Sequence, residues 1–156
     1  MIGIINYGAG NIFSLTSALE RQHIAFGMVN TEGDLDLYSH IIIPGVGHAG
    51  AAMKKLEQTG LVNAIKALKK PVLGICVGMQ MLAASSDEGK LPGLGWIDAE
   101  VKKFDSSLKV GRTKLPLPHM GWNDIKTADE EQFFCRASTG FMYFVHSFYA
   151  EICQET

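Results

Sequence analysis

The sequence predicts an α/β fold built on a mixed, mostly parallel sheet with helices on both faces. Short apolar segments in the first half of the chain alternate with segments whose apolar residues recur every three or four positions. This alternation is typical of parallel strands that are joined by helical crossovers. Two of the short segments, 41–43 and 72–75, are apolar at almost every position, as in strands buried on both faces.

The first predicted elements are a strand, a helix and two more strands. An apolar segment at 2–6 is followed by a glycine-rich turn and then by a segment of helical periodicity at 12–22. Asn11 stands where the N-cap of this helix belongs, because its side chain can accept from the free amides of the first turn. The next two strands are predicted at 25–30 and 40–43.

Further along the chain, two helices, a strand and a third helix are predicted at 50–57, 61–69, 72–75 and 78–84.

The amino-acid composition changes after about residue 85. Beyond that point, glycine, proline, aspartate and serine become frequent. Extended segments that are typical of hairpins or of a small antiparallel edge lie at 95–104, 122–126 and 141–150. Because we find no linker and no repeat, we predict a single domain over residues 1–156.

Composition excludes several classes of function. The net charge is −2 with no cluster of Lys and Arg, which argues against nucleic-acid binding through phosphates. The longest apolar stretch, 72–84, is too short to span a membrane. We expect no nucleotide cofactor, because the glycine-rich turn lacks the third glycine of a dinucleotide fingerprint and no Walker motif occurs. We expect no metal, because the cysteines show no metal-ligand spacing with His. Three cysteines without paired or metal-ligand spacing fit a reducing cytoplasm.

Cys76 is the candidate nucleophile. It lies between a predicted strand and a predicted helix, in the segment Gly74-Ile75-Cys76-Val77-Gly78-Met79-Gln80. A nucleophile on such a tight turn is exposed at the edge of the sheet, and the helix N-terminus favours the thiolate over the thiol. The amide of Val77 points to where an acyl oxyanion would develop. The alternative is a buried cysteine that only packs a strand end, and a lone cysteine usually does that.

A second glycine-containing turn, Pro44-Gly45-Val46-Gly47, also follows a predicted strand. It therefore belongs at the carboxyl edge of the sheet, where open α/β proteins bind ligands. Glycines let backbone amides approach a substrate closely. Taken alone, the turn is more simply an ordinary strand end.

Together these segments resemble the class I, or triad-type, glutamine amidotransferases, which carry Gly-x-Cys-x-Gly-x-Gln and Pro-Gly-x-Gly motifs. Within that family the resemblance narrows to the glutaminase subunits of imidazole glycerol phosphate synthases. It runs in order through essentially the whole chain. The longer motifs that carry it are Asn6-Tyr7-Gly8-Ala9-Gly10-Asn11, Pro118-His119-Met120-Gly121-Trp122-Asn123 and Tyr143-Phe144-Val145-His146-Ser147-Phe148.

The resemblance implies a flavodoxin-like three-layer sandwich and a glutaminase that works through a cysteine thioester on Cys76. It implies oxyanion donors at Val77 and, after a peptide flip, at the peptide joining Val46 and Gly47. It implies that substrate is held by Gln80, His146, Ser147 and Phe148. The implied partner is a (β/α)8 cyclase of histidine biosynthesis that forms a heterodimer and receives the ammonia. The residues implied to lie toward this cyclase are Asn11, Met120, Trp122, Asn123 and Tyr143.

Each implied role has a simpler alternative. Gln80 follows Cys76 by one helical turn and could only cap the surface. His146 could be a satisfied core histidine, and Trp122 could be a core residue instead of an interface anchor.

The chain departs from the family pattern in one respect, because no His-x-Glu sequence occurs in it. The resemblance places the general base and its carboxylate in a His-Pro-Glu segment. We therefore expect that the chain is part of a longer protein and that these 156 residues alone have little glutaminase activity. A non-catalytic module that supports a synthase, or a base supplied by another group, are the alternatives.

Two rival functions remain open from the sequence. A related amidotransferase could serve the amidation of a surface-polysaccharide sugar, because the acceptor chemistry belongs to the partner. The second rival is a cysteine-dependent hydrolase or stress protein of the same fold. The position of Gln80 and the loop at 118–123 argue against this second rival.

Overall fold

The structure is a computed structural model that describes residues 1–111, 113–126 and 139–151. Its contacts divide the chain into two compact units. The first consists of Met1–Lys102 together with the chain from Ala150 onward, and the second is Lys103–Tyr149.

The first unit is built on a four-stranded parallel sheet, which confirms the predicted fold class. Its strands are β1 (Ile2–Ile5), β2 (Phe26–Val29), β3 (His40–Ile43) and β4 (Val72–Gly74). The strand order is β2-β1-β3-β4, and every neighbouring pair is parallel. The carboxyl ends of β1, β3 and β4 therefore meet at one edge of the sheet.

Helices join these strands. They are α1 (Ile12–Arg21), α2 (Ala49–Gln58), α3 (Val62–Ala67) and α4 (Val77–Leu82), with a 3-10 helix at Glu32–Leu37. The predicted cap of α1 is confirmed, because Asn11 Oδ1 accepts from the Ser14 amide at 3.2 Å. Apolar side chains from the strands and helices form one core, whose fully buried members include Ile5, Ile43, Leu56 and Ile65.

Two predictions for the segment around Cys76 are wrong in detail. The three isoleucines of β3 are buried as expected, but Leu73 on β4 is 42% exposed, because β4 lies at the end of the strand order. The helix predicted over 78–84 begins at Val77 and ends at Leu82. It ends there because the amides of Leu94 and Trp96 bond to the carbonyls of Met81 and Leu82, which draws the following residues into a strand.

That strand begins a second sheet. Strand β5 (Ala83–Ser86) pairs antiparallel with β6 (Leu91–Pro92) and parallel with β7 (Ile97–Lys103). The chain returns to this sheet after Ala150, where the Glu151 amide donates to the Glu100 carbonyl at 2.9 Å.

The main element of the second unit is a long antiparallel ribbon, as the extended segments after residue 85 predicted. Its short strands β8 (Lys109–Val110) and β9 (Thr113–Lys114) pair with each other. The ribbon consists of β10 (His119–Lys126) and β11 (Thr139–His146), in a register that sets His119 opposite His146 and Trp122 opposite Tyr143. Ser147 separates β11 from the last strand, β12 (Phe148–Ala150).

Among the described residues, no helix is both long enough and apolar enough to cross a membrane.

Candidate active site

Cys76 occupies a strained turn between β4 and α4. Its φ of 55° and ψ of −113° are close to the first central position of a type II′ turn, a conformation that glycine adopts readily and an L side chain does not. The turn is closed by hydrogen bonds from the Gly78 amide to the Ile75 carbonyl at 2.9 Å and from the Met79 amide to the Cys76 carbonyl at 3.0 Å. The Cys76 side chain is exposed. This is the strand-to-helix elbow that the sequence predicted.

The elbow packs backbone to backbone against the end of β3. A Cβ added to Gly78 would meet the Ile43 carbonyl oxygen, and one added to Gly45 would lie 2.5 Å from the Gly78 amide nitrogen. The Ile75 amide also donates to the Ile43 carbonyl at 3.0 Å. Because no side chain intervenes, the two segments singled out in the sequence, 74–80 and 44–47, lie side by side.

Tyr7 anchors the predicted oxyanion segment. Its side chain is 4% exposed, and its hydroxyl donates to the Pro44 carbonyl at 2.6 Å. Burial raises the pKa of Tyr7 to about 12, and the charge of a Cys76 thiolate acts in the same direction. Gly47, three residues after Pro44, has a φ of 84°, which places the Val46–Gly47 peptide in an orientation that L residues rarely adopt.

A cleft of about 290 Å³ opens beside Cys76. One wall is the Pro44–Val46 segment, and the other is the start of α1. The residues that line it are Asn11, Ser14, Leu15, Pro44, Gly45, Val46, Ile75 and Cys76. Asn11, predicted to face a partner, thus borders the same cleft as Cys76.

Gln80 takes part in a polar network inside the first unit. The Ser86 hydroxyl donates to Gln80 Oε1 at 3.0 Å, and Gln80 Nε2 donates to Glu88 Oε2 at 3.4 Å. The same Glu88 oxygen accepts from the Ala49 amide at 2.8 Å, at the first residue of α2. The network therefore links the helix that follows Cys76 to the start of α2.

The remaining predicted site residues lie in the second unit. His146 and Ser147 end β11, and Phe148 opens β12. Met120, Trp122 and Tyr143 are exposed on one face of the ribbon. Asn123 lies on the opposite face, where its amide nitrogen is 3.0 Å from His119 Nε2. Cys135 and Cys153, the other two cysteines, lie outside the described residues.

Comparison with known proteins identifies the family. A family model for the CobB/CobQ-like glutamine amidotransferase domain matches residues 1–121. The imidazole glycerol phosphate synthase subunit HisH of Bdellovibrio bacteriovorus is 44% identical over 159 residues, covering 99% of this chain and 76% of the relative. The HisH subunit of Leptospira interrogans is 39% identical and covers 99% of this chain and 77% of the relative. The chain belongs to the HisH family of class I glutamine amidotransferases.

Solved structures agree with this family at the level of the fold. A crystal structure of a glutamine amidotransferase superimposes with a TM-score of 0.67 at 19% identity, covering 92% of this chain and 70% of the other. A glutamine amidotransferase from Thermotoga maritima gives a TM-score of 0.62 at 17% identity, covering 98% and 63%. The fold is thus the flavodoxin-like α/β fold of these amidotransferases. Membership of an enzyme family decides against a stress protein of the same fold.

The sequence analysis missed two residues that position parts of this site. Tyr7 holds the Pro44 carbonyl, and Glu88 holds Gln80 and the first amide of α2. Tyr7 follows β1 directly, so its place at the carboxyl edge could have been inferred from the strand prediction. Glu88 gave no such signal, because it lies in the turn between β5 and β6 and reaches Gln80 and α2 only through the folding of that turn.

Proposed function

We propose that this chain is the glutaminase subunit of an imidazole glycerol phosphate synthase and that Cys76 is its nucleophile. Its HisH relatives, similar along almost the whole chain, carry the assignment of the subunit. The observation that carries the assignment of the nucleophile is the strained elbow of Cys76 against the Pro44–Gly47 segment. Strain at an exposed thiol beside a cleft is typical of an active site.

The chemistry begins when the Cys76 sulfur attacks the side-chain carboxamide carbon of glutamine. The carbonyl electrons move to oxygen and return as the C–N bond breaks, so that ammonia leaves with an added proton and a glutamyl thioester remains. Water then attacks the thioester, which releases glutamate and the thiol. The overall reaction converts glutamine and water into glutamate and ammonia.

The oxyanion of each step needs donors that are already in place. The Val77 amide is the first of α4, and no carbonyl within that helix can reach it. The Val46–Gly47 peptide supplies a second donor after it flips. The positive φ of Gly47 supports this role, because glycine crosses between backbone conformations at low cost.

Gln80, His146, Ser147 and Phe148 hold the substrate in this proposal. Gln80 is suited to the role because a side-chain amide can make four hydrogen bonds and the structure describes two, with Ser86 and Glu88. Those two bonds orient the amide, and the others are available for a polar group of glutamine.

The ammonia passes to a cyclase subunit that binds this chain in the cytoplasm. The exposed apolar side chains of Met120, Trp122 and Tyr143 support a protein interface on that face of the ribbon. Asn11 and Asn123 are included in the proposed interface, although the Asn123 side chain lies on the other face of the ribbon.

Substrate protection tests the proposal. Alkylation of Cys76 by iodoacetamide is followed by peptide mass mapping at increasing concentrations of L-glutamine, in the chain bound to a cyclase subunit. We expect L-glutamine to slow the alkylation of Cys76, and D-glutamine at the same concentrations to have little effect. Equal rates with and without L-glutamine would argue against glutamine as the substrate.

A further inference from the structure

The face of the ribbon opposite Trp122 and Tyr143 carries a series of hydrogen-bonded side chains. Asn123 Nδ2 lies 3.0 Å from His119 Nε2, and His119 Nδ1 lies 2.9 Å from His146 Nε2. His146 Nδ1 in turn lies 2.7 Å from the Phe148 carbonyl oxygen. The register of β10 and β11, which pairs His119 with His146, brings the two imidazoles together.

The carbonyl at the end of the chain fixes the direction of every bond. Because the Phe148 carbonyl can only accept, His146 Nδ1 carries a hydrogen, and Nε2 of the neutral ring must accept. His119 therefore donates from Nδ1 and accepts at Nε2 from the Asn123 amide. One tautomer of each imidazole satisfies the whole chain with both rings neutral.

We propose that His119 and Asn123 are positioning residues that, together with the Phe148 carbonyl, hold one tautomer and one ring orientation of His146. Through the bond to the Phe148 carbonyl, they hold the turn His146-Ser147-Phe148 in the shape that binds substrate. The inference rests on the proposed function, which gives this turn the task of holding glutamine.

Packing around the rings supports the same conclusion. The His146 ring meets Phe104 edge to face at a centroid distance of 5.2 Å, and His119 lies 5.8 Å from the ring of Phe144. The Phe104 amide donates to the Ser147 carbonyl at 3.0 Å. The aromatic rings restrict the tilt of the imidazoles but cannot choose between tautomers, so that choice falls to the two ends of the hydrogen-bonded chain, the Phe148 carbonyl and the Asn123 amide.

Asn123→Asp tests the direction of the chain without changing its shape. A carboxylate can only accept, so His119 must then carry a hydrogen on Nε2, the nitrogen that accepts from the Asn123 amide in the unsubstituted chain. His119 can still donate from Nδ1 to His146, and His146 still donates from Nδ1 to the Phe148 carbonyl. We expect nitrogen NMR of ¹⁵N-histidine-labelled chain to show His119 Nε2 without a hydrogen in the unsubstituted chain and with one in Asn123→Asp, and to show His146 with its hydrogen on Nδ1 in both.

The matched control is Asp124→Asn, one residue along the same strand on the opposite face. It changes the charge by one unit in the opposite sense and is expected to leave both imidazoles as they are in the unsubstituted chain. If His119 Nε2 carries a hydrogen in the unsubstituted chain, or carries none in Asn123→Asp, the proposed chain is wrong.

Glutamine protection of Cys76 tests the link to substrate. His119→Leu removes the donor to His146, and we expect about a tenfold weaker protection by L-glutamine, the size expected for one hydrogen bond. His119→Asn, whose amide can occupy the Nδ1 position, should restore most of it. Unchanged protection in His119→Leu would overturn the positioning role. Failure of the unsubstituted chain to be protected would instead count against the proposed function, and the NMR result would still decide the chain of bonds.

Discussion

Cys76 lies in a backbone conformation that costs folding free energy. A non-glycine residue in a sparsely populated region costs roughly 1–3 kcal/mol, and the surrounding structure must hold it there. Here the hydrogen bonds of Gly78 and Met79 close the turn around it. The proposed nucleophile is therefore held at the expense of folding stability.

Replacing Cys76 with glycine should relieve this strain. Glycine adopts the observed φ and ψ without penalty, but it also gains freedom in the unfolded chain. We expect Cys76→Gly to be more stable than Cys76→Ala by about 1 kcal/mol in denaturant unfolding. An alanine variant as stable as the glycine variant would show that the turn is not strained.

Tyr7 should make stability fall at alkaline pH. Its pKa is raised to about 12 in the folded chain from 10.0, so the folded state holds its proton more tightly than the unfolded state. The stabilisation is complete below about pH 10 and is lost as pH rises toward 12. By pH 11 the difference in unfolding free energy between the unsubstituted chain and Tyr7→Phe should narrow by about 1 kcal/mol.

The control for this measurement is Tyr149→Phe, which removes a hydroxyl from an exposed ring. If the difference in unfolding free energy between the unsubstituted chain and Tyr7→Phe is the same at pH 9 and pH 11, burial does not raise the pKa of Tyr7.

At the scale of elements, local patterns in the sequence were sufficient wherever a contact is local. The spacing of apolar residues gave α1, and Asn11 gave its cap, because a cap involves only neighbouring residues. The parallel sheet followed from the alternation of strands and helices. The parallel sheet in turn predicted that the Cys76 elbow lies beside the 44–47 turn, because the two follow neighbouring strands, β4 and β3.

The sequence was insufficient where distant segments decide the structure. The end of α4 at Leu82 depends on amides at Leu94 and Trp96, and no local pattern announces that pairing. The bonds of Gln80 to Glu88 and of Asn123 to His119 likewise depend on how turns and strands pack. The family resemblance gave roles for Gln80 and Asn123, but it did not give these partners.

The packing of α4 against β3 gives a test at this scale. Alanine is normally a better helix residue than glycine by about 1 kcal/mol, yet a Cβ on Gly78 would meet the Ile43 carbonyl. We expect Gly78→Ala to destabilise the chain by about 3 kcal/mol in chemical denaturation. Gly33→Ala, where the added Cβ meets nothing within 4 Å, should be nearly neutral.

A stability of Gly78→Ala equal to that of Gly33→Ala would mean that the elbow does not press against the end of β3.

At the scale of the whole molecule, one face of the ribbon exposes several large apolar side chains. Met120 is 58% exposed, Trp122 68% and Phe141 71%, and the register places Tyr143 and Val145 on the same face. Adjacent exposed apolar side chains of this size are typical of a protein interface.

Trp122→Ala should weaken binding to a cyclase subunit about 30-fold, because a central aromatic anchor contributes about 2 kcal/mol. Its melting temperature should hardly change, since the ring is mostly exposed. Trp96→Ala is the matched control: Trp96 packs against the buried core of the first unit, and its loss should cost about 3 kcal/mol of stability.

Calorimetric binding and thermal unfolding on the two variants separate the roles. A large loss of stability in Trp122→Ala with unchanged affinity for the cyclase would refute the interface.

The central claim is that Cys76 is the nucleophile of a glutaminase, and selective labelling tests it most directly. The folded chain, with the cyclase bound, is treated with a glutamine analogue that carries a diazoketone side chain, and the modified cysteines are identified by peptide mass mapping. We predict that Cys76 is labelled far ahead of Cys135 and Cys153 and that the preference disappears in denaturant. Equal labelling of the three cysteines in the folded protein would contradict the account.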